Sequence, residues 1–147
     1  MSGYSRAVIW FNRIVLLAAT FVMTAIAIRQ LRDPIGSTAA MGIVLGSPTA
    51  VTVARVGLGG FPLGFAIALG GCLISTRRLL TGVSLVAVVV GAATFARIQG
   101  LVIDGPTAYN LGLLRPEFAL LTLSTIGIVL ERRRERPAAA RSLSAGR

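Results

Sequence analysis

The sequence predicts an all-α membrane protein: a four-transmembrane-helix bundle with a short surface helix between helices 1 and 2. Its 147 residues are 54% hydrophobic with a mean hydropathy of +0.80, which is far more apolar than an ordinary soluble domain. Four apolar stretches reach or approach the roughly 20 residues that cross a bilayer core. Arginines flank these stretches, as expected for spans that end at headgroups.

The first two spans are Ala7 to Ile28, closed by Arg29, and Thr49 to Ile74. Ser47 and Pro48 mark the start of the second span, because a serine cap followed by proline in the first turn is a helix-start signal. The first span also has the features of a cleavable signal segment. Three further spans make a retained first helix the simpler expectation.

The last two spans are Leu79 to Ile98 and about Glu117 to Leu130. Pro116 and Glu117 predict the start of the fourth span, since a carboxylate is favoured at the positive end of a helix dipole. Residues 1–131 are therefore expected to form one transmembrane domain. Residues 132–147 are expected to form an arginine-rich cytoplasmic tail without regular structure.

The connection between the first two spans is long and fairly apolar. Asp33 and Pro34 are typical of a helix cap and first turn, which predicts the short helix at the membrane surface.

Arginine counts predict the orientation. With four spans, Arg6, Arg13, the pair Arg77 and Arg78, and six arginines of the tail share one side, whereas fewer lie on the other. The positive-inside rule therefore places both termini in the cytoplasm of a multi-pass protein.

Composition also limits the function. All 15 basic residues are arginine and the formal charge is +10, but the arginines gather after an apolar run, which favours anionic lipid over nucleic acid as a partner. Histidine is absent and Cys72 is the single cysteine, so we expect no metal site and no cofactor. No nucleophile with an adjacent base is evident, so we expect no catalytic residues and no enzyme.

One part of the predicted bundle is dense in charge. Arg55 is the single charge between Val51 and Ser75, and the predicted topology brings it to the outer third of the membrane with four other charged residues. The cluster consists of Arg55, Arg97, Asp104, Arg115 and Glu117.

Three interpretations of this cluster remain open. An ion-pair network, with Arg55 bridging Glu117 or Asp104, would fix the register of the helices. Alternatively, spare positive charge would bind a small anion or a lipid headgroup, since an intramembrane charge is a functional-site hypothesis by default. The third interpretation is an Asp104 and Glu117 pair acting in acid/base chemistry or holding a cation.

Glycines mark a packing face on the second span. Gly60 and Gly64 are four residues apart, and Gly59 lies beside them, so a neighbouring helix can approach closely; Pro62 is expected to bend the helix there. Packing within the bundle is the simpler expectation, and packing against another copy or a membrane protein partner stays open.

The segments "ARVGLGGFPLG", "ARIQGLVIDGP" and "RPEFALLTLS" resemble a family of small four-span bacterial membrane proteins, domain of unknown function 4345. The resemblance covers roughly residues 33–130. It implies the four-span fold, a bacterial cytoplasmic (inner) membrane location and a site at Arg55, Gly59, Gly60, Arg97, Gly100, Asp104 and Glu117. It implies no reaction.

The sequence thus predicts a membrane protein that binds or moves a small anionic ligand or lipid headgroup at an outer-facing charged pocket. The alternative is a non-catalytic accessory or structural membrane subunit whose charged cluster only fixes helix packing.

Overall fold

The computed structural model describes the backbone of residues 3–145 and the side chains of residues 3–135. In this part of the chain every regular element is helical. The helices are α1 (Gly3–Arg32), α2 (Pro34–Ala39), α3 (Pro48–Ala54), α4 (Phe61–Ile74), α5 (Leu79–Ile103) and α6 (Ala108–Ala145), with a π-helical segment at Arg55–Gly60 and a 3₁₀ turn at Thr76–Arg78.

Four helical segments of the described chain are long and apolar enough to cross a membrane. They are Gly3–Arg32, Pro48–Ile74, Thr76–Ile103 and Ala108–Glu135. The sequence-based prediction of four such helices is therefore confirmed by length and composition. Two compact units make up the chain: Leu17–Gly71, and Met1–Leu16 combined with Cys72–Arg147.

In the unit Leu17–Gly71, two predicted helix starts are present. The Asp33 carboxylate accepts a hydrogen bond from the Gly36 N–H at 2.9 Å, and Pro34 opens α2. The Ser47 hydroxyl accepts a hydrogen bond from the Ala50 N–H at 3.1 Å ahead of α3. Both caps satisfy amides that a helix start leaves without partners. The short helix after Asp33 exists, and its position at a membrane surface stays a prediction.

Between α3 and α4 the helix widens into a π-helical segment. The Phe61 N–H bonds to the Val56 carbonyl, five residues back, in place of the four of an α-helix. Pro62 follows directly, and its ring has no N–H and crowds the carbonyl of Leu58. A wider turn moves that carbonyl away, so Pro62 accounts for the position of the π segment. The structure thus has a π-helical segment directly before Pro62, and the expected bend of the helix stays a prediction.

The other unit is organised around α5. Leu79, Val83, Val86 and Val90 recur at three- and four-residue intervals on one face of this helix and are buried, as helical periodicity requires. At Gly82 the approach is close: a Cβ there would lie 2.9 Å from atoms of both Leu16 and Cys72. The middle of α1 and the start of α5 therefore pack together at this glycine.

The turn from α5 to α6 differs from the sequence-based prediction. Asp104 ends α5, and Gly105 follows in the left-handed region at φ +92°, a conformation that favours glycine. The Thr107 hydroxyl then accepts the Asn110 N–H at 3.2 Å, so α6 begins at Ala108, well before Glu117. Pro116 lies inside the helix, where its missing N–H removes one bond to the Gly112 carbonyl.

This earlier start changes the physical account of Glu117. The residue lies in the third turn of α6, and the effect of a helix dipole is confined to the first turn. At its other end, the backbone of α6 is helical through Ala145, which takes in most of the segment predicted to lack regular structure.

Candidate functional site: two polar clusters

The first polar cluster joins α5 to α6. Arg97 Nε donates to both carboxylate oxygens of Glu117 at 3.0 Å, and Arg97 Nη2 donates to Oε1 at 2.7 Å. Arg97 Nη1 donates to Asn110 Oδ1 at 2.9 Å. The side chains of Arg97 and Glu117 are 21% and 17% exposed. We call Arg97, Asn110 and Glu117 the arginine clasp.

Local structure explains the clasp. Asn110 and Glu117 are seven residues apart, so they lie on one face of α6, two turns apart. The tight turn at Gly105 brings that face beside the last two turns of α5, where Arg97 lies. The planar guanidinium then matches the carboxylate with parallel N–H bonds, which are among the stronger polar contacts in proteins.

Of the five residues predicted to cluster, the structure joins Arg97 and Glu117. Asp104 and Arg115 belong to the same unit, and both are exposed. Arg55 belongs to the other unit, where it begins the π-helical segment and is also exposed. Among the described residues of its own unit, the Arg55 side chain makes no hydrogen bond or ion pair. Its predicted pairing with Glu117 or Asp104 stays a prediction.

A second polar cluster, which the sequence-based analysis missed, joins α1 to α6. Asn12 Nδ2 donates to Glu131 Oε2 at 2.9 Å. Arg134 forms an ion pair with Glu131 Oε1 through both Nε and Nη2. Asn12 and Glu131 are both 0% exposed. We call Asn12, Glu131 and Arg134 the asparagine clasp.

Gly127 makes room for the asparagine clasp. A Cβ at this position would overlap Asn12 Oδ1 and would lie 3.5 Å from Val83 Cγ1. Asn12 Nδ2 also approaches the Gly127 carbonyl, at 3.5 Å. Asn12 Oδ1 is buried without a hydrogen-bond partner among the described residues. The absence of a side chain at Gly127 therefore leaves space for the Asn12 amide against α6, where Nδ2 donates to Glu131.

Arg13 follows Asn12 and has a different environment. Its Nε is buried without a hydrogen-bond partner among the described residues. Its guanidinium carbon lies 5.8 Å from the centre of the Trp10 ring, within the range of a cation–π contact. Trp10 itself is 61% exposed.

Two signals in the sequence could have located the asparagine clasp. Asn12 is the single amide side chain between Ala7 and Ile28, and a polar residue inside a span usually meets another polar group. Glu131 directly follows Leu130, so it belongs to the helix end as much as to the tail. The sequence-based prediction used charge density, which is higher around Arg97 and Glu117 than around Asn12.

The predicted packing glycines differ in their surroundings. Gly59 is buried, and a Cβ there would lie 2.9 Å from Leu31 Cγ and Cδ2 on α1. At Gly60 the nearest atom to such a Cβ is the Arg55 carbonyl oxygen, 3.9 Å away, and at Gly64 nothing described lies within 4 Å. Packing within the unit Leu17–Gly71 therefore uses Gly59, and the face with Gly60 and Gly64 is open within the described residues of that unit.

Comparison with protein-family models, with curated proteins and with solved structures gives no significant match to this chain. The resemblance to domain of unknown function 4345 stays a prediction.

Proposed function

We propose that this chain is a multi-pass integral membrane protein with a non-catalytic, structural or accessory role. The observation that carries the proposal is the arginine clasp. Arg97 uses Nε, Nη1 and Nη2 as donors, and both oxygens of Glu117 accept hydrogen bonds. A pair bonded in this way fixes α5 against α6, because every nitrogen of the Arg97 guanidinium already donates to a residue of the chain.

The open glycine face supports an accessory role. Gly60 and Gly64 are exposed at the four-residue spacing that allows close backbone approach between transmembrane helices. The occupant that fits this face is a transmembrane helix with small residues on its contacting side. Lipid tails fill such a groove poorly compared with a matching helix, so dispersion contacts favour the helix.

The test is gentle extraction of the chain from its own membranes, followed by native mass spectrometry of the wild type and Gly64→Leu. We expect the wild type to carry a second helical protein or a second copy, and Gly64→Leu to lose it while staying folded. Gly112→Leu is the matched control, because Gly112 is exposed and a Cβ there meets no described atom within 4 Å. A wild type that is monomeric without partner would contradict the accessory role.

A second candidate function is anion binding at exposed arginine. Arg115 is exposed two residues before Glu117, so its charge is not used by the arginine clasp. A lipid headgroup or a small carboxylate would pair with it. This candidate predicts that Arg115→Gln removes a bound anion seen by native mass spectrometry, whereas Arg97→Gln first weakens the fold.

The proposed membrane location has its own test. Carbonate washing of membranes should leave the chain in the pellet, because four helices with the hydropathy of transmembrane spans would be embedded. Proteolysis from one side should then reveal whether the tail after Glu135 faces the cytoplasm, as the arginine distribution favours.

A further inference from the structure

We infer that Arg13 and Trp10 form a binding site for the phosphate of an anionic phospholipid, at the end of the molecule where α1 starts. The inference rests on the proposed membrane embedding, and it concerns a different place from the arginine clasp. It starts from an arginine that has no ion pair among the described side chains.

Arg13 directly follows Asn12, whose partner Glu131 is already bound. Glu131 accepts from Asn12 Nδ2 and pairs with Arg134. Arg13 has no hydrogen bond or ion pair among the residues whose side chains are described, and its Nε is buried without a partner. A guanidinium cannot lose its proton to relieve this, so it needs an anion or water from outside the chain.

The contacts of this unit bring other arginines to the same end. Gly82 of α5 meets Leu16 of α1, and Gly127 of α6 meets Asn12. One end of α1, of α5 and of α6 therefore lies on the same side of these contacts. This shared end contains the residues shortly before Asn12, those shortly before Gly82 and those shortly after Gly127. The arginines among them are Arg6, Arg77, Arg78, Arg132, Arg133 and Arg134, and Arg13 directly follows Asn12.

The charge at this end is strongly positive. Glu131 and Glu135 are the two acids on the same segments, and Glu131 is already bound within the asparagine clasp. The surplus would draw anionic headgroups, since basic side chains near an anionic surface are attracted to it. This attraction brings lipid to the end of the molecule without selecting a position on it.

Trp10 gives the position its specificity. The Arg13 guanidinium carbon lies 5.8 Å from the centre of the Trp10 ring, within the range of a cation–π contact, and Trp10 is mostly exposed. Ile14, one turn further on the same face of α1, is 63% exposed. An arginine held on tryptophan, followed by an exposed apolar strip, fits a ligand with a phosphate at one end and acyl chains at the other. Free phosphate would leave that strip unused.

The experiment measures binding of phosphatidylglycerol to the delipidated full chain in mild detergent by native mass spectrometry. Phosphatidylcholine and excess inorganic phosphate serve as comparison ligands. We expect phosphatidylglycerol to bind as a discrete adduct, phosphatidylcholine to bind more weakly, and inorganic phosphate not to displace the lipid. Displacement by inorganic phosphate would show that the site takes a free anion, which would overturn the lipid assignment.

Two variants distinguish binding at a discrete Arg13 site from general attraction to the positive charge at this end. Arg13→Gln should weaken phosphatidylglycerol binding about tenfold, since a charge-assisted contact is lost. Arg77→Gln removes the same charge from an exposed turn at the same end and should change binding less than about twofold. Equal weakening by both variants would overturn the discrete site.

Two further variants keep the test decisive if Arg13→Gln does not fold. Arg13→Lys retains the charge without the planar fork, and Trp10→Leu retains apolar bulk without the ring. Both should lower the preference for phosphatidylglycerol over phosphatidylcholine, and wild-type preference in both would overturn the inference. A chain that is absent from the membrane fraction would instead contradict the proposed function.

Discussion

Asn12 and Glu131 are 119 positions apart in the sequence and are joined by a 2.9 Å hydrogen bond between two fully buried side chains. The bond fixes the start of α1 beside the latter part of α6. Nearer the start of α6, Glu117 forms an ion pair with Arg97. Glu117 and Glu131 are 14 residues apart, about 21 Å along a helix. A polar contact thus holds α6 at each end of an apolar stretch.

Replacing Asn12 with leucine should destabilise the chain, because buried Glu131 loses a donor while keeping its charge. The expected loss is about 1–3 kcal/mol in the free energy of unfolding, measured by thermal or steric-trap unfolding in detergent. Adding Glu131→Leu should recover part of this loss, since no buried carboxylate then lacks its Asn12 donor, and Arg134, whose side chain is 19% exposed, loses its partner equally in the single Glu131→Leu variant. A double variant as unstable as the sum of the two single variants would contradict the contact.

The arginine clasp can be measured with a double-mutant cycle. Arg97→Gln and Glu117→Gln should each cost about 2 kcal/mol or more, because each leaves a half-buried charge without its partner. Their coupling energy should be about 1–3 kcal/mol. Arg115→Gln is the matched control on α6 and should stay within about 0.5 kcal/mol of the wild type. Additive losses would show that the two residues do not interact.

Gly127→Ala tests the space beside Asn12. The new Cβ would occupy the position of Asn12 Oδ1, so Asn12 must turn and its bond to Glu131 should break. We expect a loss similar to that of Asn12→Leu, whereas Gly112→Ala, with no described atom near its Cβ, should gain up to about 1 kcal/mol from helix propensity. Combining Gly127→Ala with Asn12→Ala should cost less than the sum of their separate losses. A stabilising Gly127→Ala would contradict the described packing.

The sequence predicts the parts of this fold that local chemistry decides. The caps at Asp33 and Ser47 and the four long apolar helices depend on adjacent residues, and the structure confirms them. The predicted start of α6 was wrong because Pro116 is a strong local signal for a helix start. The real start is set by the Thr107 cap together with the turn at Gly105, and neither is as clear a signal alone. Proline inside a long helix is tolerated when the preceding cap already fixes the start.

The polar pairings depend on contacts between distant segments. The prediction that Glu117 lies in one charged cluster with Arg97 and Arg115 needed the topology alone, since all three lie near the turn between α5 and α6. Which arginine it meets depends on the helix faces, and weak amphipathicity does not show those faces. Asn12 and Glu131 come from the first and last long helices, so their contact required the packing of three helices around Gly82 and Gly127.

Gly59 and Gly64 give a comparison between two glycines of the same predicted face. A side chain at Gly59 would press against Leu31 on α1, starting from a Cβ distance of 2.9 Å. Gly59→Leu should therefore cost about 1–3 kcal/mol in the free energy of unfolding, because a packed contact must separate. Gly64→Leu should leave the stability of the isolated chain within about 0.5 kcal/mol, because nothing described lies within 4 Å.

The two glycine variants also separate folding from association. Unfolding in detergent reports the first, and native mass spectrometry of the membrane extract reports the second. Gly59→Leu should lower stability. Molecules of this variant that stay folded should still carry the bound partner. Gly64→Leu should lose the partner at unchanged stability. If Gly64→Leu unfolds the isolated chain, the face with Gly60 and Gly64 is used within the chain and the accessory proposal loses its surface.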